Sequence, residues 1–422
     1  MKKVAQLLVL FTLAALLIPL TGCEEEEPNG GDGDYVLDGI LVDENISANT
    51  TWESGEIYIL GGRITVLDGA TLTIESNVVV KGEAGTGVNA TALVVAKGGT
   101  LNAMGTASEP IIFTSVADDI EPGDIVSPSG LDPSLNGLWG GLIVLGKASI
   151  SADATPFQIE GIPASDENGL YGGSTDDDNS GTIQYVSIRH GGSNIGEGNE
   201  INGITLGGVG SGTTIDHIEV VANQDDGIEC FGGTVNVSSI LVWNQGDDAF
   251  DMDQDYQGTV SNFIGIAGDE SDHAMELDGP EGDADQGGFT LTNGSCKGWN
   301  DDGEDGGEFA DLRSGCKCAI SNVYFFNFSM GADLELDNAG VSANYAAGDI
   351  VFSGLEFNFD LGEFQSNDDV EFADVIVDKS DNDAFDGDYS FASKVTSPTV
   401  GASKADFTGW TWAGAAGELA DF

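Results

Sequence analysis

The sequence predicts an all-β solenoid, a parallel β-helix, on three observations. Runs of three to five residues rich in Val, Ile, Leu and Thr recur between Gly, Asn and Asp turns, and they are too short for helices. Gly accounts for 62 of 422 residues, which disfavours long helices. An apolar–acid–apolar triplet repeats at intervals of 22, 25, 35 and 24 residues. A period in the low twenties is typical of coils with three short strands each.

The N-terminus has the layout of a secretion signal. Lys2 and Lys3 precede an apolar stretch that ends Leu20-Thr21-Gly22-Cys23. This ending resembles the lipobox of bacterial lipoproteins, which implies lipid on Cys23 and an anchored protein. The alternative is an ordinary signal peptide with an incidental Cys. The organisation predicted here is therefore a lipoprotein signal peptide at residues 1–22 and an acidic, Gly-rich tether at 23–38.

The tether carries four Glu directly after Cys23. Such a run resembles the surface-export signals of Bacteroidetes lipoproteins. A solvated spacer is the alternative interpretation.

The β-helix itself is expected over residues 39–402. Its clearest part is the set of five repeated triplets: Ile228-Glu229-Cys230, Phe250-Asp251-Met252, Met275-Glu276-Leu277, Ala310-Asp311-Leu312 and Leu334-Glu335-Leu336. Coils that stack at about 4.8 Å would place the apolar residues inward and the middle acid outward. A β-sandwich also has short strands, but it does not explain the Asn-Gln-x-Asp motifs that begin at Asn223 and Asn244, one coil apart.

The chain resembles the right-handed parallel β-helix lipoproteins of Bacteroidetes over most of its length beyond Cys23. Three segments carry the resemblance: residues 92–106, 109–115 and 137–148. It implies a right-handed solenoid and a family without a settled activity.

Three segments depart from the coil pattern. Residues 118–136 contain three Pro, and residues 152–180 contain two Pro and Asp176-Asp177-Asp178, so both are predicted to be loop insertions. Residues 403–422 contain Phe407, Trp410 and Trp412 and are predicted to be an aromatic cap on the last coil.

The formal net charge of −59 excludes nucleic acid as a partner, because the surface repels phosphate. Residues 190–296 contain 20 Asp and Glu but no Lys or Arg. If the coils stack in register, Glu229, Asp251 and Glu276 form an outward column of like charges, which is destabilising unless cations screen or bridge it. Ca²⁺ suits such oxygen ligands. The alternative is a solvated acidic flank adapted to saline water.

A separate calcium motif is partly present in the second insertion. Asp176, Asp178 and Ser180 precede Gly181 at the spacing of an EF-hand loop, but Ser187 stands where the bidentate Glu belongs. A simple acidic turn is the favoured alternative.

Catalytic candidates are weak. Asp225, Asp247 and Asp248 look like the acid cluster of β-helix polygalacturonases, but the Gly-His-Gly and Arg-x-Lys motifs of those enzymes are absent. A role in turns, through side-chain hydrogen bonds to the backbone, is the better explanation for these residues. A polysaccharide lyase would need a base, for which Arg189 and His190 are the best pair.

Four cysteines follow Cys23. Cys296 precedes Cys316 and Cys318 by about one coil, so a disulfide to either is plausible outside the cell. Cys230 occupies an inward position and is expected to be a buried free thiol.

The resulting hypothesis is a lipid-anchored protein of the bacterial outer membrane, facing the exterior. It would be a cation-dependent binding or adhesion module for polysaccharides or surface proteins, with Ca²⁺ as the expected ion. The alternatives are a carbohydrate-active enzyme, either glycoside hydrolase or polysaccharide lyase, and a structural envelope protein. The sequence leans away from an enzyme.

Overall fold

The computed structural model describes residues 38–194, 201–300, 307–362, 366–380 and 382–422. Cys23, the signal peptide and nearly all of the tether lie outside these ranges, so their predicted roles stay predictions. Residues Asp38–Phe422 form one compact unit. Within the described residues, no helix is long and apolar enough to cross a membrane.

Strands dominate the described chain. In chain order they are β1 Ile40–Val42, β2 Thr50–Trp52, β3 Ile57–Leu60, β4 Arg63–Val66, β5 Thr71–Ile74, β6 Val79–Gly82, β7 Ala92–Val95, β8 Thr100–Met104, β9 Ile111–Ser115, β10 Leu142–Leu145, β11 Phe157–Gln158, β12 Leu170–Tyr171, β13 Gly181–Arg189, β14 Ile204–Gly207, β15 Thr214–Val221, β16 Ile228–Phe231, β17 Asn236–Trp243, β18 Phe250–Asp253, β19 Thr259–Ile266, β20 Met275–Leu277, β21 Phe289–Lys297, β22 Ala310–Leu312, β23 Cys318–Phe326, β24 Leu334–Leu336, β25 Ile350–Ser353, β26 Leu355–Asn358, β27 Ile376–Asp378 and β28 Ala392–Lys394. The α-helices are α1 Ala339–Ala347, α2 Phe372–Val375 and α3 Trp412–Ala416.

The strands form two long parallel sheets, so the fold is the right-handed parallel β-helix that the sequence predicts. Sheet A runs β1-β3-β6-β9-β13-β15-β17-β19-β21-β23-β26-β28, with β2, β5, β8 and β25 joined beside this path. Sheet B runs β4-β7-β10-β14-β16-β18-β20-β22-β24-β27. The pair β11–β12 is antiparallel and lies within the second insertion.

Sheet A turns a corner at one residue in each of six successive long strands. The corner residues have φ between 49° and 58°: Tyr185, His217, Ser239, Asn262, Asn293 and Asn322. The left-handed region is uncommon outside Gly but is several-fold enriched in Asn and His. Because the corners stack, each of these coils has three faces, namely the two halves of sheet A and sheet B.

The core is a set of apolar ladders inside the coils. Ile218, Ile240 and Phe263 stack in sheet A, and all three side chains are fully buried. The next rung is Gly294, where a Cβ would lie 2.0 Å from the Phe263 ring. Gly294 leaves space for the large Phe263 ring of the preceding coil, so a small residue in one coil compensates for a large residue in the adjacent coil.

The C-terminal segment does not cap the last coil, and this prediction is corrected. Trp410 and Trp412 pack against the outer side of sheet A in the middle coils, on Val221, Leu241 and Ile264. These outward apolar side chains would otherwise face water, so residues 403–422 bury them.

Candidate functional site

The middle acids of the repeated triplets form one continuous column on the outer face of sheet B. Strand pairing places Glu229 beside Asp251, Asp251 beside Glu276, Glu276 beside Asp311, and Asp311 beside Glu335. We call these five residues the carboxylate ladder. Its register is the one that the repeat predicts, with rungs at the inter-strand spacing of about 4.8 Å.

Three of the five ladder residues, Glu229, Asp251 and Asp311, are buried, and Glu276 and Glu335 are partly exposed. The ladder is therefore not the fully solvated flank of the alternative interpretation. Glu229 is 7% exposed and Asp251 is 8% exposed. Asn202 bridges to the second insertion, because its side-chain amide donates to Glu160 Oε1 (3.2 Å) and to Glu229. The insertion therefore covers part of this face of sheet B and brings a further acid, Glu160, to it.

A second line of polar residues runs beside the ladder through the turns that enter sheet B. Asp226 Oδ1 accepts a hydrogen bond from the Asp248 backbone N–H (3.0 Å). Asp248 Oδ1 accepts from the His273 backbone N–H (2.7 Å) and lies 2.9 Å from His273 Nδ1. Asp226 and Asp248 thus each support the backbone of the next coil through a hydrogen bond, and for Asp248 this is the predicted role in the turn.

On the other side of the ladder lie two acids that sequence reasoning missed, Asp253 and Asp278. Each follows a ladder residue by two positions, and side chains two apart share a strand face. The signal was therefore present as acid-x-acid in Asp251-Met252-Asp253 and Glu276-Leu277-Asp278.

Burial and mutual repulsion raise the pKa values of the carboxyl groups at the Glu229 end of the ladder, which we call its upper part. Burial first, and then neighbouring carboxylates, raise the pKa values of Asp226, Glu229 and Asp251 well above the ordinary range. The same causes raise the pKa of Asp253 to about 8. Burial lowers the pKa of His273, but its hydrogen bond and charge interaction with Asp248 outweigh this effect and raise it to about 9.

Toward Glu335, in the lower part of the ladder, basic side chains partly neutralise the carboxylates. Arg313 pairs with Glu276 and with Asp278 (Nε–Oδ2 2.8 Å). Lys379 pairs with Glu335 (2.6 Å) and with Asp333 (3.0 Å). Among the described residues, no Lys or Arg ion pair with Glu229 or Asp251 is found, so the excess negative charge concentrates at the upper rungs.

Several carboxylate oxygens here are arranged as cation ligands. Oxygens of Asp226, Glu229 and Asp251 lie within 4.8 Å of one another, as do those of Asp251, Glu276 and Asp278. Ca²⁺ binds oxygen at about 2.4 Å, so oxygens at this separation fit around one ion. Within the described chain, Asp251 Oδ1 is buried and accepts no hydrogen bond. The donor set and this orphaned oxygen both fit a hard cation.

A family model described as a pectate-lyase-like β-helix domain matches residues 44–414. The chain belongs to this family. No curated protein and no solved structure matches the sequence.

The catalytic candidates of this pectate-lyase-like domain separate into two places. Asp225, Asp247 and Asp248 lie at the edge of the ladder face, where oxygens of Asp225, Asp226 and Asp247 come within 4.8 Å of one another. Burial and neighbouring acids raise the pKa of Asp247 to about 6. The structure thus brings these three carboxylates to the same face as the predicted metal ligands Glu229, Asp251 and Glu276, but not Asp176 or Asp178.

Arg189 and His190 lie elsewhere and are inaccessible to a polymer, so the prediction of a basic pair at the site is corrected. Arg189 is 1% exposed, its guanidinium lies 5.1 Å from the Trp412 ring, and its Nε donates to Ser187. Glu219 is equally buried, 3.7 Å from the Arg189 guanidinium, and accepts a hydrogen bond from the Ala413 backbone (3.0 Å). These residues attach the C-terminal segment to sheet A.

The acidic turn in the second insertion is satisfied by the domain's own donors. Asp176 Oδ1 accepts from the Ser149 backbone N–H (2.9 Å), and Asp178 Oδ2 accepts from Ser180 (3.2 Å). The acid groups within ligating distance in the described residues do not include Asp176 or Asp178. The structure favours the turn interpretation over the partial calcium motif.

The predicted disulfide of Cys296 with Cys316 or Cys318 is absent, and the register explains why. Strand pairing places Cys296 beside Phe325 and Cys318 beside Phe289, at opposite ends of β21 and β23. Cys230, Cys296, Cys316 and Cys318 are all buried free thiols. The assumed coil length was too short, because paired positions in these two strands are 29 residues apart, whereas Cys296 precedes Cys316 and Cys318 by 20 and 22.

Proposed function

We propose that the protein is a lipid-anchored binding module of the bacterial cell surface, and that the carboxylate ladder holds Ca²⁺ through which it binds a polysaccharide. Membership of the pectate-lyase-like family is compatible with a binding role or with a lyase. The Leu20-Thr21-Gly22-Cys23 sequence supports the anchor. The observation that carries the proposal is the concentration of buried carboxylates around Asp251.

Electrostatics favours cations over protons as the permanent partners of this face. Two ionised carboxylates about 5 Å apart repel by roughly 3 kcal/mol at an effective dielectric constant of about 20. Protonation relieves that repulsion one carboxylate at a time, and Asp251 Oδ1 has no hydrogen-bond partner among the described residues. A bound Ca²⁺ would satisfy both demands, since it neutralises charge and takes six to eight oxygens.

A cation held by several carboxylates can still accept outside ligands. Carboxylate and hydroxyl oxygens of an acidic polysaccharide are of the type that Ca²⁺ accepts. The ion would also remove the repulsion between such a polymer and a protein of net charge −59. Binding to an acidic polymer is therefore expected to require Ca²⁺.

The decisive experiment combines metal and glycan binding. Calorimetry of purified protein with Ca²⁺, followed by a polysaccharide array with Ca²⁺ or with EDTA, should show saturable metal binding and metal-dependent glycan binding. Asp251→Asn should weaken both, whereas Asp43→Asn, which removes the same charge from an exposed position in the first coil, should weaken neither. Glycan binding that is equal in EDTA would contradict the proposal.

A polysaccharide lyase is the second candidate, because accessible basic side chains lie on the ladder face, and one of them, Arg313, is next to its middle rungs. The side chain of Arg313 is 40% exposed and contacts Glu276 and Asp278. Both contacts hold the guanidinium in ion pairs, which leaves it less free to approach a substrate and places this function second. The test is the release of unsaturated oligosaccharides from polyuronates in Ca²⁺, and its loss in Arg313→Met with Ca²⁺ binding retained.

The anchor has its own test. Mass spectrometry of the protein from bacterial membranes should find cleavage before Cys23 and lipid on that residue, and Cys23→Ser should release the protein into the soluble fraction. Protease accessibility on intact cells would then decide between an exterior and an interior face.

A further inference from the structure

A cavity of about 480 Å³ lies between the second insertion and the coils, beside the upper end of the carboxylate ladder. The insertion contributes the antiparallel pair β11–β12, in which Phe157 lies opposite Tyr171. The coils contribute Phe231, the last residue of the strand that carries Glu229, and Gln254. The volume is within the range of small-molecule sites, about 300–1,000 Å³.

Three aromatic rings line this cavity. The ring centroids of Phe157 and Tyr171 are 6.3 Å apart, and those of Tyr171 and Phe231 are 6.2 Å apart. The Tyr171 hydroxyl donates to Gln254 Oε1 (2.7 Å), which fixes that ring. Phe157 is half-buried, so it lies at the accessible side of the cluster. The rings thus form a wall held by contacts within the protein.

The charges that line the cavity are all negative. Glu160 and Glu281 are the charged residues among its described lining residues, and no Lys or Arg lines it. Glu281 accepts a hydrogen bond from Gln254 Nε2 (2.8 Å), so its carboxylate is held beside the aromatic wall. Asp253 lies on the adjoining strand β18, and the nearby charge of Glu281 helps to raise the pKa of Asp253.

The aromatic wall and the two carboxylates together determine which kind of ligand fits the cavity. An anion would be repelled by both carboxylates. A metal ion could use the carboxylates, but hydrocarbon walls cannot complete its coordination shell. A neutral apolar molecule would fit the rings but would leave the two carboxylates without a counter-charge. An organic ammonium ion satisfies both parts, because its positive charge is spread over alkyl groups that pack against aromatic rings.

We propose that this cavity is a binding site for a small alkylammonium ion, with Phe157, Tyr171 and Phe231 as its aromatic wall and Glu160 and Glu281 as its counter-charges. The site is separate from the Ca²⁺ ligands of the ladder, and it does not depend on the polysaccharide-binding role.

The test compares choline with 3,3-dimethyl-1-butanol, which has the same shape but no charge. Ligand-observed NMR titrations use the full-length protein at a constant, saturating Ca²⁺ concentration, so that the ladder is in one state throughout. Choline should bind saturably, and the neutral isostere should bind at least tenfold more weakly. Equal binding of the two, or no saturable binding of choline, would overturn the proposal.

Two variants separate the aromatic and the electrostatic contributions. Phe157→Leu keeps an apolar side chain at a half-exposed position but removes the ring, and it should weaken choline binding about threefold or more without weakening the isostere. Glu281→Gln keeps a hydrogen-bond acceptor for Gln254 and removes the charge, and it should also weaken choline selectively. Asp43→Asn is the matched charge control and should leave choline binding unchanged. Unaltered choline affinity in both cavity variants would refute the site.

Discussion

The substitution Asp251→Asn probes the ladder most directly. Asp251 lies between Glu229 and Glu276 on adjacent strands, and its Oδ1 accepts no hydrogen bond among the described residues. Asn keeps the size of the side chain and removes one negative charge. Because the charge opposes folding when cations are absent and ligates them when they are present, the substitution should change stability in opposite directions under the two conditions.

The magnitude follows from the spacing of the rungs. At about 5 Å and an effective dielectric constant of about 20, each ionised neighbour of Asp251 costs roughly 3 kcal/mol. Protonation already relieves part of this cost at pH 7, because burial and neighbouring acids raise the pKa of Asp251 well above its ordinary range. We therefore expect a gain of about 1–3 kcal/mol for Asp251→Asn in EDTA, and a larger gain at pH 9 than at pH 7.

The assay is thermal unfolding of the wild type, Asp251→Asn and Asp43→Asn at fixed ionic strength, with either excess EDTA or millimolar Ca²⁺. The ladder variant should melt a few degrees above the wild type in EDTA and below it in Ca²⁺, while the exposed control follows the wild type in both. If Asp251→Asn shifts the melting temperature in the same direction under both conditions, the ladder is not a cation site.

Three further outcomes are expected. In EDTA, wild-type stability should fall as the pH rises from about 4 to 9: the folded-state pKa values of Asp311 and Asp253 are raised to about 7 and about 8, so the protonated folded state is favoured only below them. Denaturation at a series of pH values, with and without Ca²⁺, should show this slope flatten when the ion is present. Arg313→Met should raise Ca²⁺ affinity about threefold or more in calorimetry, since it removes a competing cation. Trp412→Ala should cost about 3–5 kcal/mol in chemical denaturation and speed hydrogen exchange in the middle strands of sheet A.

The coil register was predictable because it depends on local chemistry. The triplets around Glu229, Asp251 and Glu276 alternate inward and outward with the period of a strand, and turn residues separate them. Acids in equivalent positions must then meet on neighbouring rungs. The ladder therefore follows from local spacing and requires no knowledge of distant contacts.

The lateral contacts were not predictable in the same way. Asn202 reaches Glu160 across 42 residues, and Ala413 reaches Glu219 across 194. Nothing in the spacing of either pair indicates these contacts. The burial of the ladder, the inaccessibility of Arg189 and the course of the C-terminal segment all depend on such long-range packing, and sequence patterns carry little information about it.

The course of the C-terminal segment has a mechanical consequence. Coils of a solenoid touch only their neighbours, so they can ordinarily peel away one at a time from either end. Here the C-terminal residues return to the middle coils, where the Ala413 backbone N–H donates a hydrogen bond to Glu219. This contact closes a loop of chain that contains every coil between the two residues. A pulling force on the N-terminal end should therefore unravel the first coils individually, whereas the coils enclosed by this loop should resist together and yield in one step when the loop opens.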